Sequence, residues 1–307
     1  MSYYLGIDGG GTKTTCAVGD EDRLLASATA GPSNIVRVGE MVARESLQQC
    51  IRQGCAAAGI TLEQVSHTCV GASGAARPEL AAVVREIVAE IILTPIDVVG
   101  DMETTLEGAF GSGPGVIVIA GTGSIAYGRD ASGKTLRAGG WGFAIGDEGS
   151  AHWIGRTAVA AVLRAHDRES SDAPPSPLAS ALFKAWGVGS FSDLARAGNS
   201  IPPPDFAALF PAVVASEDEL ARHVLRSAGR ELAEVALVVI KRLFFQDDVT
   251  AVPVAMTGGV FRHASIVREV FYNELRKLDA RAKVHPHVVD PVEGALRLAR
   301  RGTRTTG

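Results

Sequence analysis

The sequence predicts an α/β fold made of two duplicated domains, and three observations point there. Short β-branched runs ending in glycine turns (Tyr4-Leu-Gly-Ile-Asp8, Ile96-Asp-Val-Val-Gly100, Val116-Ile-Val-Ile-Ala120) alternate with long Ala- and Leu-rich stretches of helical period. That alternation marks an α/β chain. A strand, a tight Gly/Thr/Ser turn and a second strand then occur twice. Leu5-Gly-Ile-Asp-Gly-Gly-Gly-Thr12 leads into Thr14-Thr-Cys-Ala-Val18, and Val116-Ile-Val-Ile-Ala-Gly-Thr-Gly-Ser124 leads into Ile125-Ala-Tyr127, about 110 residues later. Finally, 307 residues of which 46% are hydrophobic supply core for two domains of ordinary size. The expected division is 1–114, joined by a final helix over 291–307, and 115–290 with a helical insertion at about 155–250. The two turns are expected to face one ligand across a cleft.

Along the chain, Cys50 and Cys55 fall in a helical stretch, and Asp101 opens a helix running from Met102 to Phe110. The glycine-rich run Gly139-Gly-Trp-Gly-Phe-Ala-Ile-Gly-Asp-Glu-Gly-Ser-Ala-His-Trp153 precedes a helix starting near Glu148. Residues from Ser170 to Asp205, with Ala-Pro-Pro-Ser-Pro177 and Pro202-Pro-Pro204, read as loops and short helices. A long helix from about Glu217 to Phe245 follows, then the apolar run Val252-Pro-Val-Ala-Met-Thr-Gly-Gly-Val260, a helix, a strand and a last helix from near Pro291.

Composition narrows the functional classes. Charged residues are 21%, the net charge is −4, and Lys and Arg are scattered, so a nucleic-acid partner is not expected. The N-terminus lacks a basic segment followed by an apolar stretch, and no window holds 18 uninterrupted apolar residues. The expectation is a cytoplasmic enzyme with no membrane contact. Cys16, Cys50, Cys55 and Cys69 have no Cys-x-x-Cys spacing and read as buried free thiols.

Five constellations carry chemistry. In Asp8-Gly9-Gly10-Gly11-Thr12-Lys13-Thr14, glycines at a strand end let backbone N–H groups approach an anion, and Thr12 and Thr14 add hydroxyl donors. It is not a Walker loop, because Lys13 follows threonine and a strand comes next. Asp8 is either a cap or the carboxylate that holds a hydrated Mg²⁺. Gly121-Thr122-Gly123-Ser124 offers a second set of donors to the same triphosphate. Thr257-Gly258-Gly259-Val260 either lets an adenine ring lie against main chain or is a strand-to-helix turn requiring φ > 0. Asp101 is either an N-cap or the general base that takes a proton from an attacking hydroxyl. The Gly139 to Ser150 loop, with Asp147 and Glu148, suits a polyhydroxylated ring gripped by backbone and carboxylate hydrogen bonds.

In this order the motifs resemble the N-acetylglucosamine kinase branch of the BadF/BadG/BcrA/BcrD ATPase family, within the actin, hexokinase and Hsp70 superfamily. Gly139-Gly-Trp-Gly through Gly146-Asp-Glu-Gly-Ser150-Ala-x-Trp153 is the most specific part. The resemblance implies an actin-like ATPase (ribonuclease H-like) fold and ATP with Mg²⁺ as cofactors. It implies an amino-sugar substrate phosphorylated on its 6-hydroxyl, N-acetylglucosamine first, and a homodimer is the expected assembly. It implies phosphate contacts from Gly9, Gly10, Gly11, Thr12, Lys13, Thr14 and from Gly121, Thr122, Gly123, Ser124. Gly258 and Gly259 would line the adenosine pocket, and Asp101 would be the base. Asn34, Ser73, Thr122, Gly139, Gly140 and Asp147 would be sugar contacts; without the resemblance, Gly31-Pro-Ser-Asn34 reads only as a turn. The segment Arg168 to Ala215 departs from the pattern and is where a difference in acyl-group specificity is expected to lie. Glucosamine or N-acetylmuramic acid is the alternative substrate. A dehydratase-activating ATPase is a further alternative, and it needs surface cysteines to hold an iron–sulfur cluster.

Overall fold

The computed structural model describes residues 2–75, 77–168, 174–245 and 249–302. The chain forms two compact units, Met1–Gly113 with Val289–Gly307 (unit 1) and Pro114–Val288 (unit 2).

In unit 1, β1 (Tyr3–Gly9), β2 (Thr14–Gly19) and β3 (Leu24–Ala30) form an antiparallel meander. On the other side of β1, β4 (Val65–Ala72) and β5 (Ile96–Gly100) add in parallel, giving the order β3-β2-β1-β4-β5. Parallel neighbours require crossovers. They are α1 (Ile35–Ala58) between β3 and β4 and α2 (Pro78–Ala89) between β4 and β5; α3 (Asp101–Phe110) follows β5. Leu5 and Ile7 of β1 enter one core with Val18, Leu47, Ile51, Val70 and Ile87.

Unit 2 repeats this plan. Strands β6 (Gly115–Ala120), β7 (Ser124–Arg129) and β8 (Thr135–Gly139) form the meander, and β9 (Val252–Thr257) and β10 (Ala282–Val288) lie parallel beyond β6, in the order β10-β9-β6-β7-β8. Where unit 1 has α1 and a short 3₁₀ turn (Leu62–Gln64), unit 2 runs through α4 (Ala151–His166), α5 (Pro177–Trp186), α6 (Phe191–Gly198), α7 (Phe210–Ala215) and α8 (Glu219–Leu243). Then α9 (Gly259–His263) and α10 (Ser265–Leu278) link β9 to β10. Of the stretch expected to hold loops and short helices, residues 170–173 lie outside the described residues, and α5 and α6 occupy much of the remainder. The helix expected from Glu148 begins at Ala151 instead, with Ser150 as its cap. The reason is local: Asp147 (φ 60°) and Gly149 (φ 76°) are left-handed and cannot continue a right-handed helix.

The last helix, α11 (Pro291–Gly302), belongs to unit 1 and covers the second face of its sheet. Val292, Leu296 and Ala299 pack on Tyr4, Ala17 and Cys69. Main chains touch there: a Cβ on Gly6 would lie 2.2 Å from the Leu296 nitrogen, and one on Gly294 would lie 1.8 Å from the Thr104 carbonyl oxygen. β1 is thus buried on both faces, which is why it reads as a nearly unbroken apolar run.

Candidate active site

Unit 1 gathers its chemistry-bearing residues around the turn between β1 and β2. Gly10 closes that turn by donating to the Lys13 carbonyl at 3.0 Å, and its own carbonyl accepts from Ser33 (3.1 Å) and Asn34 (3.2 Å). The segment before α1 is therefore fastened to the turn. Asn34 also caps α1, its Oδ1 accepting from Val36 N at 3.1 Å. Thr12 and Lys13 are exposed at the tip. Thr14, expected as a hydroxyl donor to phosphate, is fully buried, with Oγ1 donating to the Gly31 carbonyl at 2.8 Å and meeting Ser33 Oγ at 2.7 Å. Its hydroxyl braces the turn from below. Ser33, in the Gly31-Pro-Ser-Asn34 turn, fills the space a Cβ on Gly9 would need, at 2.8 Å.

On the far side of β1, the parallel register Ala72↔Gly100 brings the residues just after β4 and β5 side by side. Ser73 N donates to the Gly9 carbonyl at 3.1 Å, and Ser73 Oγ donates to Asp101 Oδ2 at 2.6 Å. Gly100 is the N-cap of α3 and Asp101 its first residue, so the simple N-cap reading of Asp101 is corrected. Its carboxyl also takes the N–H groups of Met102 and its own residue. Burial pushes the Asp101 carboxyl above the ordinary aspartate value, and these hydrogen bonds pull it only part of the way back.

Asp8 is the carboxylate at the end of β1. Among the described residues no group of three or more His, Cys, Asp or Glu side chains makes a metal cage. A strand-end carboxylate beside a glycine-rich turn fits a hydrated Mg²⁺, an ion that recruits one or two carboxylates and keeps its waters.

In unit 2 the turn between β6 and β7 is shorter, closed by Gly121 N to the Gly123 carbonyl at 2.9 Å. The carbonyls of Gly121 and Thr122 accept from the first N–H groups of α4, Ala151 (2.8 Å) and His152 (3.3 Å). Ser124 Oγ donates to the Glu148 carbonyl at 2.7 Å. Asp147 is 9% exposed, and its carboxylate accepts from the backbone N–H groups of Ser124 and Gly142, so it ties the turn to the glycine-rich loop. Burial raises its pKa, and Glu148 adds to the rise. Gly123 leaves room for that carboxylate: a Cβ there would lie 2.8 Å from Asp147 Oδ2. Asp147 is the one described non-glycine residue with positive φ, a conformation that costs energy and clusters at functional sites.

The loop itself is built on Gly139 (φ 71°) and Gly140 (φ 67°) and exposes Trp141 (68%), Phe143 and Ile145 (80%). The Arg137 guanidinium lies over the Trp141 ring, 4.8 Å from its centre. Glu231 on α8 was not marked by any motif; burial raises its pKa, with Glu234 and Glu148 adding like charge. Gly258 has φ 102°, and a Cβ there would lie 2.2 Å from the Ala120 carbonyl oxygen, so close strand packing explains this glycine. Gly259, at the start of α9, faces open space. All four cysteines are free and buried, which removes them as surface ligands of a cluster.

The chain belongs to the BadF/BadG/BcrA/BcrD ATPase family, whose sequence profile matches residues 5–299, and its fold is that of the actin-like ATPases. It is 32% identical to the N-acetylmuramic acid/N-acetylglucosamine kinase of Clostridium acetobutylicum, over 98% of this chain and 99% of that one. It is 30% identical to the N-acetyl-D-glucosamine kinase of Dictyostelium discoideum, over 96% and 97% respectively. A candidate N-acetylglucosamine kinase from Chromobacterium violaceum has a similar solved structure, with a TM-score of 0.75, 29% identity, and 97% and 99% of the two chains covered. Among the described residues no helix is long and apolar enough to cross a membrane.

Proposed function

We propose that the protein is a sugar kinase that phosphorylates the 6-hydroxyl of N-acetylglucosamine or a related amino sugar at the expense of ATP. The observation that carries this reading is the Asp101 carboxyl, desolvated at the start of α3 and hydrogen-bonded by a serine that is itself fastened to the β1–β2 turn. A raised carboxyl pKa suits a general base, which must hold a proton transiently near neutral pH. Asp101 accepts the proton of the attacking hydroxyl. In unit 1, the glycines Gly9 to Gly11 let phosphate oxygens approach the turn, Thr12 and Lys13 at its tip bind them, and Asn34 offers its Nδ2 donor to the sugar. In unit 2, the Gly121 to Ser124 turn borders phosphate, with Thr122 and Gly123 binding it at the tip, Gly139, Gly140 and Asp147 hold sugar hydroxyls, and Gly259 gives flat access to the nucleobase. Asp8 would hold Mg²⁺, which when bound neutralises phosphate charge.

The kinase names of the relatives support the substrate class. The test is ADP release from glucose, glucosamine, N-acetylglucosamine and N-acetylmuramic acid, with the product's phosphate located by phosphorus–proton NMR. Turnover of an amino sugar to its 6-phosphate is the expected result; a 1-phosphate, or no turnover of any of the four, defeats the reading. Asp8→Ala should raise the Mg²⁺ requirement while sugar KM stays put, and an unchanged Mg²⁺ titration would release Asp8 from the metal role.

A further inference from the structure

The geometry points to Ser73 as a positioning residue for the base, one that orients the Asp101 carboxylate and couples it to the phosphate turn, rather than as a contact of the sugar. This inference rests on the kinase reading above and assigns Ser73 a different part in it.

Three observations lead there. Ser73 Oγ is 2.6 Å from Asp101 Oδ2, the short distance of a hydroxyl donating to a carboxylate, so its single proton is committed to Asp101. Ser73 N is bonded to the Gly9 carbonyl at 3.1 Å, so this one residue bridges the end of β1 and the start of α3. The Asp101 backbone is fixed from the other direction, because the hydroxyls of Thr104 (3.0 Å) and Thr105 (2.7 Å) both donate to its carbonyl. With the main chain held, the carboxyl's orientation is what remains to be set, and the side-chain partner that sets it is Ser73. Space around this contact is tight: a Cβ on Gly71 would lie 2.5 Å from Thr104.

The hydroxyl also tunes the base. It favours the ionised carboxylate and so opposes the burial that raises the pKa. The acids on the packed elements are Asp8 at the end of β1, Asp97 on β5, Glu103 and Glu107 on α3 and Glu293 on α11, and the bases are His67 on β4 and Arg297, Arg300 and Arg301 on α11. Asp97 is paired with His67 at 2.7 Å and Glu107 with Arg301 of α11 at 2.7 Å, and no charged group enters the balance on Asp101. Removing the hydroxyl therefore leaves burial less opposed, and the carboxyl protonates at higher pH.

The experiment follows the Asp101 carboxyl carbon by ¹³C NMR in the free protein, assigned with Asp101→Asn, in wild type, Ser73→Ala, Ser73→Cys and Ser73→Thr, alongside pH profiles of kcat. Ser73→Cys keeps a side chain of similar size with a weak donor, and serves if Ser73→Ala does not fold. The expected result is a titration moved to higher pH in Ser73→Ala and Ser73→Cys and returned by Ser73→Thr. The acid limb of kcat should move with it, with a loss of about 10-fold on that limb and sugar KM unchanged, as befits one lost hydrogen bond to a charged group. An unmoved carboxyl titration in the alanine and cysteine variants overturns the proposal. So does a rise in sugar KM with the acid limb in place, which makes Ser73 a sugar contact. If wild type phosphorylates none of the sugars, the kinase reading falls, while the carboxyl titration still decides for or against Ser73.

Discussion

The β1–β2 turn of unit 1 and the β6–β7 turn of unit 2 stand at equivalent places in two sheets of the same strand order, yet they are finished differently. In unit 1 the acid near the turn, Asp101, opens a helix and meets the turn through one serine hydroxyl. In unit 2 the acid, Asp147, sits in left-handed backbone and is clasped by two backbone N–H groups, one of them from the turn itself. The Asp101 carboxyl has one side-chain partner, Ser73, and otherwise takes N–H groups of its own helix start, so its protonation parts no loop from another. A carboxylate that joins two loops through the main chain is a strut as much as a reactive group. The two halves share a frame, and the residues just beyond the strand ends set them apart.

The largest effect that tests this contrast is Asp101→Asn, which should lower kcat by about 10²- to 10⁴-fold, the range for loss of a general base. The variant should also be more heat-stable than wild type at neutral pH. The folded pKa of Asp101 is raised, so the stability the carboxyl contributes is present below its unfolded pKa of about 3.9 and is lost as pH rises through the folded value. Melting temperatures measured at pH 3 and pH 7 should diverge only at the higher pH. A kcat close to wild type would make Asp101 a helix-start residue and nothing more.

Next comes Asp147→Ala, expected to act on selectivity and on stability together. Discrimination of N-acetylglucosamine from its epimers at carbons 2 and 4 should fall by well over the roughly 10- to 200-fold that a single apolar group commands. Two orphaned backbone donors should add about 1–3 kcal/mol of destabilisation. If kcat/KM ratios across the epimers hold while the melting point drops, Asp147 is a strut only.

A smaller pair of substitutions separates ligand space from packing space in the unit 2 turn. Gly123→Ala drives a methyl into the Asp147 carboxylate and should cost about 1–3 kcal/mol in urea unfolding. Gly121→Ala meets nothing within 4 Å in the protein, so its melting point should not move, while KM for ATP rises. Equal behaviour of the two would mean that Gly121 faces no phosphate. The smallest effect is Thr14→Val, which should cost about 1 kcal/mol through the lost hydrogen bonds beneath the turn and leave kcat nearly unchanged. A large loss of kcat would instead tie that hydroxyl to the chemistry.

Much of the fold is written in local pattern. The paired strand–turn–strand segments, the helix from Glu219 to Leu243 and the start of α11 at Pro291 follow from alternation, period and punctuation within short windows. The beginning of α4 lies beyond Glu148, and the left-handed backbone of Asp147 and Gly149 that sets it there has no signature that a window can carry. Gly258 illustrates the same limit: its missing side chain answers to Ala120, 138 residues away, on the neighbouring strand. Ser73 and Asp101 are 28 residues apart, and only the parallel pairing of β4 with β5 makes them neighbours. Thr14 and Ser124 read as hydroxyl donors for a ligand because nothing local reveals that Gly31 and Glu148 already claim them.

The backbone-on-backbone seat of α11 against β1 and α3 has a consequence for synthesis on the ribosome. Unit 1 is opened by the first strand and closed by the last helix, whereas unit 2 is one uninterrupted stretch of chain. At roughly 5–20 residues per second, about 10–40 s separate the emergence of α3 from that of α11. During that interval Tyr4, Ala17 and Cys69 lack the cover of α11, and the strands of unit 2 are all made, β10 last, before α11 arrives. The half that carries the proposed base is the half that finishes last.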